Sequence, residues 1–146
     1  MLRIGVAANP AGGVSQAEGE GDTRPRPAGI RVLVVEDNRD AADSLRMLLE
    51  LYGYEVAVAY SGPDGVRAAV QWRPDVVLCD IGLPGMDGYE FARQLRALTP
   101  TQHVRLVALS GYAQPEDVTR AVEAGFDAHV AKPPDPEKIA SLIGGR

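Results

Sequence analysis

Residues 32–38 read Val-Leu-Val-Val-Glu-Asp-Asn, four apolar side chains in unbroken succession and then two acids and an amide. Alternation of apolar and polar residues would mark a strand with one wet face. An unbroken apolar run marks a strand covered on both faces, as in parallel sheets layered between helices. The same shape returns downstream, where VVLC (76–79) runs into Asp80 and RLVAL (105–109) into Ser110. Adding 55–60 and 128–131 gives five expected strands, the first being 31–35. Between the first two, Ala41, Leu45, Leu48, Leu49 and Tyr52 recur at helical spacing. Asn38 is placed to cap that helix, Asp40 lies in its first turn, and Gly53 ends it. A second helix has Pro63 near its start and stops before Pro74, and a third begins after Asp87 and carries Phe91, Leu95 and Leu98. A fourth is expected over 115–124 with Gly125 as its stop, and a short fifth follows Asp135 and Pro136 with Ile139, Leu142 and Ile143 inward. Five β/α units in a row predict a parallel sheet with crossover helices, with no internal sequence repeat.

The chain has 146 residues, within the range of one domain. Residues 1–29 contain six Gly, three Pro and no aromatic residue, the composition of a flexible tail or linker, so the folded domain is expected over 30–146. A net charge of -5 without a Lys/Arg cluster argues against direct nucleic-acid binding. No run approaches the roughly 20 apolar residues of a spanning helix, so no direct membrane partner is expected. The N-terminal apolar stretch is broken by Asn9 and Pro10 before a secretion signal could form. The lone Cys79 cannot form an internal disulfide and reads as a small core residue, and a reducing cytoplasm fits.

In an open parallel sheet, ligands bind beyond the carboxyl ends of the strands, where strand order reverses. Glu36 and Asp37 follow the first strand, Asp80 the third, Ser110 the fourth and Lys132 the fifth. Carboxylates gathered there repel one another, by roughly 4 kcal/mol for a pair about 4 Å apart at an effective dielectric near 20. A cation or a proton is therefore required. Oxygen donors without His or Cys favour a hard ion, and few carboxylates with open positions suit Mg2+, which keeps waters and accepts phosphate oxygens. Metal and Lys132 together would turn an acidic hole into a phosphoryl-binding site, with Asp80 as nucleophile.

Four segments in order, VLVVEDN (32–38), DIGLPGMDGYE (80–90), ALSGYA (108–113) and HVAKPPD (129–135), make the chain resemble the receiver domains of bacterial response regulators and hybrid histidine kinases. The resemblance covers about residues 30–143. It implies a flavodoxin-like doubly wound sheet of order 2-1-3-4-5 with five helices. It also implies that Asp80 accepts a phosphoryl group from a histidine kinase or a histidine phosphotransfer protein, catalysing its own phosphorylation rather than turning over an external substrate. By position, Glu36 and Asp37 resemble the family's acidic pair, Lys132 its phosphoryl-contacting lysine and Ser110 its hydroxyl switch. Asp37, Asp80 and the carbonyl of Gly82 correspond to the family's Mg2+ ligands. His129 occupies the switch-aromatic position, commonly Tyr or Phe, and the family often has a cis bond between the lysine and the next proline. ALSGYAQPED and AGFDAHVAKP look most like kinase-attached receivers, and both a stand-alone regulator and a piece of a hybrid kinase remain open.

Two other readings share this architecture. A haloacid-dehalogenase-like phosphatase would place an acid two residues after its nucleophile, and Gly82 cannot move a proton. A flavodoxin-like cofactor carrier would need hydroxyl and backbone donors after the first strand, where Glu36 and Asp37 would repel a phosphate. The absence of a Gly-rich phosphate loop with Lys disfavours a nucleotide-driven enzyme.

Overall fold

The computed structural model describes residues 29–111 and 114–144. The tail expected over 1–29 lies outside them except for Gly29, as do residues 112 and 113 of the ALSGYA segment. In chain order the elements are β1 Arg31–Val35, α1 Arg39–Leu51, β2 Glu55–Ala59, α2 Gly62–Trp72, β3 Val76–Asp80, α3 Gly88–Ala97, β4 Arg105–Ser110, α4 Pro115–Ala124, β5 Ala128–Ala131 and α5 Pro136–Gly144. All strands pair in parallel in the order β2-β1-β3-β4-β5, the doubly wound sheet expected from the resemblance.

The two-residue period of the strands divides the core into two layers. Leu33, Val35, Val77, Cys79, Leu106 and Ala108 face the buried sides of α2, α3 and α4, where Ala68, Ala69, Phe91, Leu95 and Ala121 meet them. Val32, Val34, Val56, Val58, Val76, Leu78, Val107 and Leu109 pack on the other face against Ala42, Leu45 and Leu49 of α1 and Ile139 and Ile143 of α5. Strands apolar on both faces suit only this arrangement, which explains the unbroken runs of β1 and β3.

Helix starts follow the expected chemistry. The Asn38 side chain accepts the amide of Ala41 and that of Asp87 accepts the amide of Glu90. Helix α1 closes at Gly53, whose φ of 97° suits glycine. Helix α2 closes at Arg73, a left-handed residue (φ 54°) whose position before Pro74 disfavours a further helical turn.

Two strand ends differ from the sequence reading in a way that matters for the site. Asp80 and Ser110 are the last residues of β3 and β4 rather than the first residues of loops. The amide of Ile81 donates to the carbonyl of Leu109 at 3.0 Å, and that of Lys132 to the carbonyl of Ser110 at 2.8 Å. Ladder hydrogen bonds thus reach one residue beyond the apolar runs. Strand β2 instead stops at Ala59, one residue short.

At the opposite edge of the sheet, Arg96 of α3 binds the chain end of α4. Its guanidinium donates to the carbonyls of Gln102, Val104 and Gly125 and to the Asp127 carboxylate.

Close packing beneath the site gives a test of this arrangement. A Cβ at Gly65 would lie 2.9 Å from both Phe91 Cε1 and Val35 Cγ2, and both residues are fully buried. Gly65→Ala is expected to lower unfolding free energy by about 1–3 kcal/mol in urea titrations. Exposed helical glycines gain up to ~1 kcal/mol from the same change, so a stabilised variant would show that α2 does not press on β1 and α3 here.

Candidate functional site

Strand order reverses between β1 and β3, and the carboxyl ends of these two strands carry the acids. Glu36 is held on the sheet by its amide, which donates to the Ala59 carbonyl at 3.0 Å, and it is 4% exposed. Asp80 is 8% exposed, whereas Asp37 is open to solvent. One carboxylate oxygen from each of the three lies within 4.8 Å of the others.

Lys132 closes this group from the β5 side. Its Nζ lies 2.6 Å from Glu36 Oε1 and 3.2 Å from Asp80 Oδ2. The remaining oxygens have backbone donors. Glu36 Oε2 accepts the Asn38 amide at 3.0 Å, and Asp80 Oδ1 accepts the Gly82 amide at 2.9 Å. The Glu36 carboxylate is therefore committed at both oxygens, and its place is to hold Lys132 over Asp80. Asp80 is likewise engaged at both oxygens, by Lys132 and the Gly82 amide, and Asp37 adds a solvent-exposed carboxylate beside it. An oxygen-only donor set with one solvent-facing acid fits a hard divalent cation and would be poor for a soft one.

Burial opposes the charge on Glu36 and lifts its pKa above the ordinary 4.5, outweighing the hydrogen bonds from Lys132 and the Asn38 amide; the Asp80 charge adds to the rise. Burial also opposes the Lys132 ammonium, but there the Glu36 hydrogen bond and the Asp80 and Glu36 charges prevail and raise its pKa above 10.5. Lys132 thus stays charged across the physiological range. Burial, reinforced by the Asp80 charge, likewise holds the Cys79 thiol well above its usual value, which fits a core residue rather than a nucleophile.

Ser110 is buried at the end of β4, beside β3. His129 pairs with Ala108 in register and Ser110 with Ala131, so the imidazole sits two residues, about 7 Å, behind the level of Ser110. Its ring is half-buried, and Nε2 is enclosed without a hydrogen-bond partner among the described residues. The Lys132–Pro133 peptide is cis. All the acids and Lys132 are thus brought together as the sequence suggests, Ser110 joins them one strand away, and His129 stands apart.

Two contributions were not visible in the sequence reading. The Asn38 amide orients Glu36, in addition to the helix-capping role of its side chain. Gly88 allows the start of α3 to press on the β3 end, because a Cβ there would fall 2.5 Å from Ile81 Cα and 2.9 Å from the Asp80 carbonyl oxygen. The Asp87-Gly88 pair reads as a turn and cap, and the glycine after the cap was the available signal.

Comparison with known proteins supplies the wider context. The profile described as response regulator receiver domain matches residues 32–144. An uncharacterised 14.6 kDa protein of Leptolyngbya boryana is 33% identical over 116 residues, covering 80% of this chain and 88% of the relative. The DNA-binding response regulator MtrA of Mycobacterium tuberculosis H37Rv is 34% identical over 116 residues, and the match takes in 80% of this chain but 50% of MtrA, so the chain spans about half of that relative. Among solved structures, the chemotaxis protein CheY4 of Vibrio cholerae superposes with a TM-score of 0.76 at 26% identity, over 80% of this chain and 97% of CheY4. The receiver domain of the sensor histidine kinase PA1611 of Pseudomonas aeruginosa PAO1 gives 0.74 at 30% identity, over 80% and 95%, and that structure has a magnesium ion coordinated in its active-site cleft.

Breaking the shared ion pair should be costly. Lys132→Ala leaves Glu36 and Asp80 buried side by side and is expected to lose about 3 kcal/mol at pH 7 in urea unfolding, with much of the loss recovered in the double variant with Glu36→Gln. Because the folded pKa of Lys132 is raised, its contribution is complete below about pH 10.5 and disappears as pH rises through the folded value. Wild-type stability should therefore fall in that alkaline window more steeply than that of Lys132→Ala. Parallel pH profiles would overturn the assignment.

Proposed function

The chain belongs to the response regulator receiver domain family, and from that premise we propose that Asp80 accepts a phosphoryl group from a phosphohistidine. The observation that carries this reading is the Asp80 carboxylate held 3.2 Å from the Lys132 ammonium within a cluster of acids at the strand-order reversal.

In the proposed reaction, an Asp80 oxygen forms a bond to phosphorus as the donor's P–N bond breaks. The electron pair of that bond stays on the imidazole, which leaves neutral when its other nitrogen carries a proton. Lys132, fixed by Glu36, supplies the positive charge that a phosphoryl oxygen meets beside Asp80. The Gly82 amide keeps Asp80 Oδ1 in place, so the carboxylate reacts from one orientation. Mg2+ bound by Asp37, Asp80 and the Gly82 carbonyl would supply the remaining neutralisation of phosphoryl charge. Ser110, at the adjacent strand end, is the hydroxyl we assign to sensing the new phosphoryl group, with His129 responding behind it. Modification of the chain itself, without turnover of a separate substrate, is the activity proposed, and the cytoplasm is its proposed compartment.

Receiver domains act with histidine kinases or histidine phosphotransfer proteins, and we assign this chain a donor of that class. Its relatives include a DNA-binding regulator and a sensor kinase. Attachment to a kinase is the reading we draw from ALSGYAQPED and AGFDAHVAKP. Among the described residues, no helix is long and apolar enough to cross a membrane.

Incubation with acetyl phosphate and Mg2+ is expected to add one phosphoryl group that hydroxylamine removes, with Asp80→Asn unreactive. Labelling of Asp80→Asn to the wild-type level would remove Asp80 from the role. For the switch, the 15N resonances of His129 should move on addition of beryllofluoride and Mg2+ to the wild type and stay in place in Asp80→Asn. An unresponsive ring would confine the response to Ser110 and its loop.

A further inference from the structure

We propose that Arg39 is a specificity-determining residue for the phosphoryl donor, binding its anionic oxygens at the rim of the site before Asp80 attacks; this rests on the reading of Asp80 as phosphoacceptor. Arg39 opens α1, two residues beyond Asp37, and the backbone between them is pinned by the Asn38 amide on Glu36 and the Asn38 side chain on Ala41. Tyr60 directly follows β2, whose last carbonyl, that of Ala59, accepts the Glu36 amide. Arg39 and Tyr60 therefore flank the acidic pair from the β2 side, while Lys132 closes it from the β5 side.

The Arg39 guanidinium carbon lies 4.1 Å from the centroid of the Tyr60 ring. Asp43, four residues further along the same helix face, would be its ordinary ion-pair partner. The Tyr60 hydroxyl takes that carboxylate instead, donating to Asp43 Oδ1 at 2.9 Å. Among the described residues, no carboxylate pairs with Arg39, so the ring holds the cation without using its N–H donors. Nor does the helix itself favour this charge, because the first position of a helix repels cations and attracts acids. An exposed guanidinium, pre-held on an aromatic face and with its donors unspent, suits a phosphoryl group, whose oxygens it can meet in pairs.

The charge of the site gives this cation a task. Three carboxylates face one ammonium, so with Mg2+ bound the cluster is close to neutral and offers an anionic donor no net attraction. A further cation on the open side supplies that attraction, and it does so more for a donor carrying more negative charge. The inferred result is a preference for dianionic phosphoryl donors over less charged ones.

The test compares acetyl phosphate with phosphoramidate, whose protonated nitrogen makes its net charge smaller, with Mg2+ present and phosphorylation followed by mass spectrometry. Arg39→Gln is expected to slow reaction with acetyl phosphate about fivefold and with phosphoramidate by less than about twofold, the difference shrinking as salt is added. Arg39→Lys, which keeps the charge, should fall between Arg39→Gln and wild type. Tyr60→Phe keeps the ring but releases Asp43 to pair with Arg39, so it should slow the acetyl phosphate reaction, and adding Asp43→Asn should restore it. Unchanged rates in Arg39→Gln, or equal losses with both donors, would overturn the proposal while leaving Asp80 as acceptor. A wild-type protein that reacts with neither donor would instead bring down the phosphoacceptor reading and this one with it.

Discussion

Two buried carboxylates, Glu36 and Asp80, share a single ammonium, that of Lys132. Each acid would be costly where it stands without that cation, and the half-buried lysine gains its charge-stabilising partners from them. The three side chains come from the ends of three strands, β1, β3 and β5, so their mutual need ties together elements far apart in the chain. Both acids are engaged at both oxygens, Glu36 by Lys132 and the Asn38 amide and Asp80 by Lys132 and the Gly82 amide, and the third acid, Asp37, is the one open to solvent beside them.

The sheet makes such a cluster tolerable by leaving little freedom to the groups that form it. Asp80 and Ser110 belong to the ladder itself, and the first residues beyond it donate to neighbouring strands, Ile81 to Leu109 and Lys132 to Ser110. Beneath them, Gly65 lets α2 approach Val35 and Phe91, and above them Gly88 lets α3 approach the end of β3. Close packing of α2 and α3 against the strand ends restrains motion of the acids. At the far edge, Arg96 gathers four acceptors from two segments of chain, so α4 is secured at its carboxyl end. The α4 end nearer the site has a softer attachment, through Tyr89 to the Asp117 carbonyl at 3.5 Å and through Arg120 stacked on the Tyr89 ring.

Much of this was legible in the sequence because it rests on local chemistry. Apolar runs without alternation specify strands with two covered faces. Asn38, Asp87, Gly53 and Gly125 announce helix ends through side-chain capping and backbone freedom. Strand-end acids and Lys132 announce the site, since charged groups directly after apolar runs have few places to go in a parallel sheet. The ends of β3 and β4, longer than their apolar runs, have a common cause. Ladder hydrogen bonds involve the backbone, so β3 and β4 continue through Asp80 and Ser110 although their side chains break the apolar run.

The amino-acid sequence by itself determined the layered α/β architecture, the identity of the acidic cluster and the lysine that balances it, because periodicity and residue chemistry act over a few neighbouring positions. Tertiary structure alone decided how those charges are divided. That Glu36 rather than Asp37 is buried and bound to Lys132, that Tyr60 diverts Asp43 from Arg39, and that Arg96 binds carbonyls around α4 all depend on distances between segments well separated in the chain. Electrostatic and hydrogen-bond partnerships change within an ångström or two, and only the packed sheet and helices set separations to that tolerance.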